Sequence, residues 1–237
     1  MLLTLLALGC TQGVDLHPEL AEGDRVEVSF EIARNARLVV EGFAAGATVT
    51  GTRQVEVTEG GRLGRDPLTL REHEASIETT VRRREGPVTL AATDADLPPL
   101  ARRWVALDRR VTLRGDGTAS TTPAPPDPQP GDDAADLERL WEALLHAPEG
   151  RLKPGATWST ETGDGQERRW TLASIQQGVA VVEEINRVEG QDPNPELERR
   201  SRLTVDARSG RPLSWRMRDL RREMVAIDVE AELTWRD

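Results

Sequence analysis

Tyrosine is absent from this 237-residue chain and phenylalanine occurs twice, so aromatic residues make up 3% of it and six tryptophans supply most of them. A core that poor in rings is built from Val, Leu, Ile and Ala around a few indoles. Cysteine occurs once, which excludes an internal disulfide framework. Lysine also occurs once, at Lys153, beside thirty arginines. So lopsided a choice reflects GC-rich coding better than thirty sites of guanidinium chemistry. Positive charge is in deficit, with a formal net charge of −10 shared between both halves. That argues against a nucleic-acid partner, whose phosphates need a basic track, and against adhesion to anionic lipid by charge. Catalytic signatures are missing as well: there is no nucleophile elbow and no phosphate-binding glycine loop. His17, His73 and His146 are scattered without a second ligand at metal spacing. No catalytic residue, cofactor or metal is expected.

What is present begins with Met1 to Leu8, a short apolar run that leads into Gly9-Cys10. The tetrapeptide Ala7-Leu8-Gly9-Cys10 resembles the lipobox of bacterial lipoprotein signals. The resemblance implies that residues 1–9 form a signal peptide, that Cys10 carries lipid such as palmitate, and that residues 10–19 are a short tether to the membrane. Thr11, where an inner-membrane retention signal has Asp, implies the outer membrane of a bacterial cell envelope. The residues by themselves also allow a buried N-terminal strand with a free core cysteine, since no basic residue precedes the run.

Alternation with period two dominates the rest. Val26, Val28, Phe30 and Ile32 fall on one face of a strand whose other face carries Arg25, Glu27, Ser29 and Glu31. Leu213, Trp215 and Met217 repeat the pattern, as do Val225, Ile227, Val229, Ala231, Leu233 and Trp235. One dry and one wet face mark antiparallel sheet. Glycine turns at Asp116-Gly117, Gly163-Asp164-Gly165, Gln177-Gly178 and Ser209-Gly210 separate the runs and predict up-and-down hairpins. One good helix is predicted over 134–146, with Leu137, Leu140, Trp141 and Leu144 on a stripe and Pro148 past its end. A shorter one is possible over Leu97 to Val105. Residues 121–133 hold five of the fifteen prolines and read as a linker. The expected architecture is therefore mainly β, an antiparallel curved sheet or half-barrel with one principal helix. A first β block spans 20–120, and the helix plus a second block spans 134–237. Echoes such as Leu20-Ala-Glu-Gly23 and Leu152-Lys-Pro-Gly155 fit either a degenerate duplication or chance in a hairpin-rich chain.

The tryptophans are the most informative side chains. Trp158, Trp170, Trp215 and Trp235 anchor a core or line a cavity for an apolar ligand. Adjacent carboxylates such as Glu183 and Glu184 point to opposite faces of a strand, so a solvated face is expected rather than acid/base chemistry. Leu20-Ala-Glu-Gly-Asp24, Lys153-Pro-Gly-Ala-Thr-Trp158 and Leu203-Thr-Val-Asp-Ala-Arg-Ser-Gly-Arg-Pro-Leu213 resemble turn-and-strand steps of uncharacterised bacterial lipoproteins. That family is similar in fold to periplasmic lipoprotein carriers with an unclosed β-barrel. The resemblance implies a lipid-anchored, non-enzymatic envelope protein that binds an apolar ligand or serves as an accessory subunit of an envelope assembly. A carboxylate-based hydrolase or glycan-active enzyme, or a purely structural surface lipoprotein, are the alternatives.

Overall fold

The structure is a computed structural model that describes residues 13–36, 46–83, 86–90, 110–122, 138–161, 167–189, 195–221 and 225–236. Cys10, Trp104, the stretch Leu97–Val105 and linker residues 123–133 lie outside them.

The first block supplies β1 (Glu19–Leu20), β2 (Arg25–Ala36), β3 (Gly46–Glu59), β4 (Gly61–Arg62), β5 (Leu68–Arg83), β6 (Gly86–Leu90), β7 (Arg110–Leu113) and β8 (Ala119–Thr122). Helix α1 (Glu138–Leu145) follows. The second block supplies β9 (Thr157–Glu161), β10 (Glu167–Gln176), β11 (Val179–Glu189), β12 (Pro195–Asp206), β13 (Pro212–Arg221) and β14 (Val225–Arg236). All but β1 and β4 join one antiparallel sheet in the order β8-β7-β5-β3-β2-β14-β13-β12-β11-β10-β9, with β6 also on β5. The sheet is not closed.

The alternating residues behave as the pattern requires. Val26, Val28, Phe30 and Ile32 are at most 5% exposed and belong to a single buried cluster that includes Trp170, Trp215 and Val229 from the second block. Trp235 packs on the margin of that cluster. The side chain of Ile227 lies outside the described ones. Among the described turns, those between β7 and β8, β10 and β11, and β12 and β13 each hold a glycine with positive φ, at Gly117, Gly178 and Gly210. Gln177 and Gly178 both have positive φ, 50° and 80°, the geometry of a two-residue turn whose twist matches that of the flanking strands.

The path of the chain explains the position of the helix. β2 begins mid-sheet, and the first block meanders outward to β8 at one edge. The second block starts at the opposite edge with β9 and meanders inward until β14 pairs with β2 along its whole length, from Val225 opposite Ala36 to Arg236 opposite Arg25. Between Thr122 and Thr157 the chain must therefore pass from edge to edge, and α1 lies on that passage. Leu140 and Trp141 share one small space with Val26, Val55, Leu70 and Val111, which belong to β2, β3, β5 and β7. From the other limb, Trp158 of β9 donates its indole N–H to the carbonyl of Ala143 at 3.1 Å. One helix touching both limbs means that the sheet curls around it. Bulges in β3, β5, β10, β12 and β13, each of which bends its strand, contribute to that curl.

Helix α1 buries Leu140, Trp141, Ala143, Leu144 and Leu145. It stops at Leu145 because Pro148 drives the residue before it out of helical geometry. The N-terminal segment closes the same end of the molecule. Val14 exchanges two backbone hydrogen bonds with Leu152 at 2.9 and 2.8 Å, and β1 pairs with β4. Val14 and Leu16, within the stretch read from sequence as a tether, are fully buried.

Candidate ligand-binding site

The concave face of the sheet is apolar where α1 covers it. Strand parity brings Val26, Val28, Val55, Leu70, Val111 and Leu233 to this face, and α1 adds Leu140 and Trp141. The space left among them is about 20 Å³, the room of a single water-sized sphere. The concavity under α1 is therefore filled, because Leu and Val bring the layers together and the helix stripe plugs the remainder.

The five described tryptophans form two pairs and one single residue. Trp235 meets Trp141 of α1 edge-on, with ring centroids 6.3 Å apart at 77°. Its indole N–H donates to the carbonyl of Pro212 at 2.8 Å, and the Arg211 guanidinium lies 4.9 Å above the ring. Arg211 also binds Asp24 at the entrance to β2, so this corner ties the start of the sheet to its last strand. Trp158 and Trp170 stand directly opposite each other on β9 and β10, both buried. Trp215 is buried on β13 and donates to the hydroxyl of Ser201 at 2.8 Å. Helix α1 reaches Trp158 on the edge strand β9 and Trp235 on the central strand β14, while Trp170 and Trp215 face the same concave side along the second block.

Beyond Trp170 the character of this face changes. The same parity that places Trp170, Leu172, Leu203, Trp215 and Met217 inward also places Thr160, Arg168, Glu184, Asn186, Arg199, Ser201 and Asp219 there, each no more than 8% exposed. These residues form a buried polar belt along β9 to β13. Arg199 pairs with Asp219 at 2.6 Å, and Nε of Arg168 lies 4.0 Å from Glu184. The two guanidinium groups and two carboxylates make the belt formally neutral. Each carboxylate faces its own cation. Sequence reading missed this belt because it counted apolar residues. The continuing inward parity of Arg168-Trp170-Leu172 and Trp215-Met217-Asp219 was the signal that could have found it. Glu183, by contrast, sits outside the belt on the wet face, as the alternation predicts.

A second buried pair, Arg53 with Glu72, lies at the α1 end, where Glu72 borders the small apolar space. His17 is buried beside Gly64 and 3.6 Å from Asp15. Burial holds its pKa below the ordinary 6.5, with Arg62 and Arg65 acting in the same direction and Asp15 opposing them. The outer face of β11 to β14 carries a shallow cleft of about 430 Å³ lined by Arg200, Arg202, Arg216 and Arg218. Acidic neighbours flank it: Glu183 is opposite Arg202, Glu230 opposite Arg216 and Asp228 opposite Arg218. It is a charge ladder facing water. Among the described residues no helix is long and apolar enough to cross a membrane, and no group of three or more metal-ligating side chains occurs.

No protein-family model matches the chain, and no curated protein matches it. Among solved structures the chain is similar to one described as "lipid-protein interactions in lipovitellin", with a TM-score of 0.51 and 11% identity, over 92% of this chain and 25% of that one. It thus spans about a quarter of that structure's length. An S-type phycobiliprotein lyase from Guillardia theta aligns over 92% of this chain and 89% of its own at 9% identity, with a TM-score of 0.24. What the first of these likenesses shows is similarity of fold alone.

Proposed function

We propose that this chain is a non-enzymatic binding protein of the bacterial cell envelope, anchored through lipid on Cys10, that holds an apolar chain between the concave face of its sheet and α1. The observation that carries the reading is α1 itself, an eight-residue helix that plugs the apolar concavity of an unclosed sheet. Such a helix leaves an apolar surface ready to receive a chain when it shifts, because hydrophobic contact is non-directional and one apolar occupant replaces another at small cost. The lipovitellin likeness supports the same reading, since that structure is described by its lipid interactions. Trp158, Trp170, Trp215 and Trp235 are the residues that would contact the ligand or report on it.

Titrating the full chain with a fatty acid should shift or quench tryptophan emission saturably, and with no tyrosine present the signal belongs to Trp alone. A flat titration of folded protein removes the binding reading. The anchor rests on Ala7-Leu8-Gly9-Cys10. Expressed with an adequate upstream signal in a Gram-negative host, the protein should partition into detergent and Cys10→Ser should leave the membrane fraction. An unchanged distribution removes the anchor.

A further inference from the structure

The polar belt has hydrogen-bonding capacity left over, and among its uncharged side chains what is left over donates; its charged members, Arg168, Glu184, Arg199 and Asp219, are engaged in ion pairs. The indole N–H of Trp170, the amide nitrogen of Asn186 and the hydroxyl of Thr160 are each buried without a hydrogen-bond partner, in residues 2%, 8% and 5% exposed. Two of these atoms only donate and the third can. A buried donor without an acceptor costs more than most single contacts contribute, so three in one belt destabilise the form that has α1 in place. Trp158, directly across from Trp170, is satisfied in that form by the backbone carbonyl of Ala143 in α1. Any shift of α1 that admits a chain takes this carbonyl away and adds a fourth donor, next to the first.

We infer that the ligand brings a carbonyl oxygen of its own, as an ester- or amide-linked acyl chain does, and that this oxygen is received by the paired indole N–H groups of Trp158 and Trp170, with Thr160 alongside. The ligand carbonyl stands where the Ala143 carbonyl stood, and the hydrocarbon tail takes the apolar rows that α1 vacates. A neutral head is favoured over a carboxylate because the belt is already balanced, Arg168 beside Glu184 and Arg199 on Asp219. A free anion would face Glu184, which sits opposite Trp170 on β11. The inference rests on the apolar-ligand reading and adds to it the chemical class of the head group.

The test is displacement of anilinonaphthalene sulfonate from the full chain at pH 7.5 by decane, methyl decanoate and decanoate, in wild type and in Trp170→Phe, which keeps a ring and removes the N–H. The expected result is that methyl decanoate binds about tenfold more tightly than decane, the value of one to two net hydrogen bonds. In Trp170→Phe that preference of ester over decane should fall to about twofold. Equal affinity for decane and ester in wild type overturns the carbonyl site and leaves apolar binding standing. Tighter binding of decanoate than of its methyl ester overturns the neutral head. Failure of all three to displace the dye removes the apolar-ligand reading, and the inference with it. If Trp170→Phe does not fold, Thr160→Val, which is isosteric, should weaken the ester about threefold and leave decane untouched; an unaltered ester affinity in that variant counts against the site.

Discussion

Single side chains set two expectations that do not depend on any ligand. Arg53 and Glu72 are 1% and 4% exposed and paired, so removing one partner leaves a buried charge facing a cavity. Glu72→Leu should lower stability by about 3 kcal/mol in a urea melt, whereas Arg53→Met with Glu72→Leu should recover most of that loss, since a well-packed apolar pair avoids the desolvation cost. Additive losses would show that the pair does not act as a unit. His17 sets the pH behaviour. Its folded pKa lies below 6.5, so the folded state resists the proton that the unfolded chain accepts. The stability contributed by neutral His17 is therefore fully present above pH 6.5 and is lost as pH falls from there toward the folded pKa. Urea melts at pH 7.5 and 5.5 should show a smaller drop for His17→Gln than for wild type. An identical drop assigns the acid sensitivity to other groups.

At the scale of elements, α1 is where packing and function meet. Leu140 is 1% exposed and borders the small space beneath the helix. Leu140→Ala should cost about 2 to 4 kcal/mol of stability, the usual range for a buried leucine, and should at the same time tighten binding of an apolar chain by widening that space. A variant that is less stable but binds no better would show that the helix is not in the ligand's way. The helix was legible in the sequence because Leu140, Trp141 and Leu144 recur at helical spacing before Pro148, and the strands were legible because Val26, Val28, Phe30 and Ile32 alternate. Two things were not. Whether a concavity is hollow or filled depends on separations of less than one side chain's width, and residue order does not encode them directly. The polar belt was hidden because Arg168, Glu184, Arg199 and Asp219 look like surface residues. Their burial follows from sharing a face with Trp170, Leu203 and Trp215, which becomes visible once the strand register is known.

The whole molecule is organised by the seam between β14 and β2. This seam joins the two sequence blocks with twelve register pairs, from Val225 opposite Ala36 to Arg236 opposite Arg25. The buried cluster runs through it, with Val229 beside Ile32 and Ala231 beside Phe30. Because neither block buries its concave face without α1 and the seam, the two should unfold together. The uneven placement of tryptophan makes this measurable, since five of the six follow residue 137. Tryptophan emission therefore reports mainly on the helix and second block, while far-UV circular dichroism reports on strands of both. The two probes should give coincident urea transitions for the full chain, the signature of a two-state unit. Val229→Ala, which trims the seam, should shift both midpoints together by the equivalent of about 1 to 2 kcal/mol. Separation of the two curves, with dichroism lost in a step that emission does not follow, would mean that the blocks hold themselves up independently and that the sheet is continuous in hydrogen bonding without being one cooperative structure.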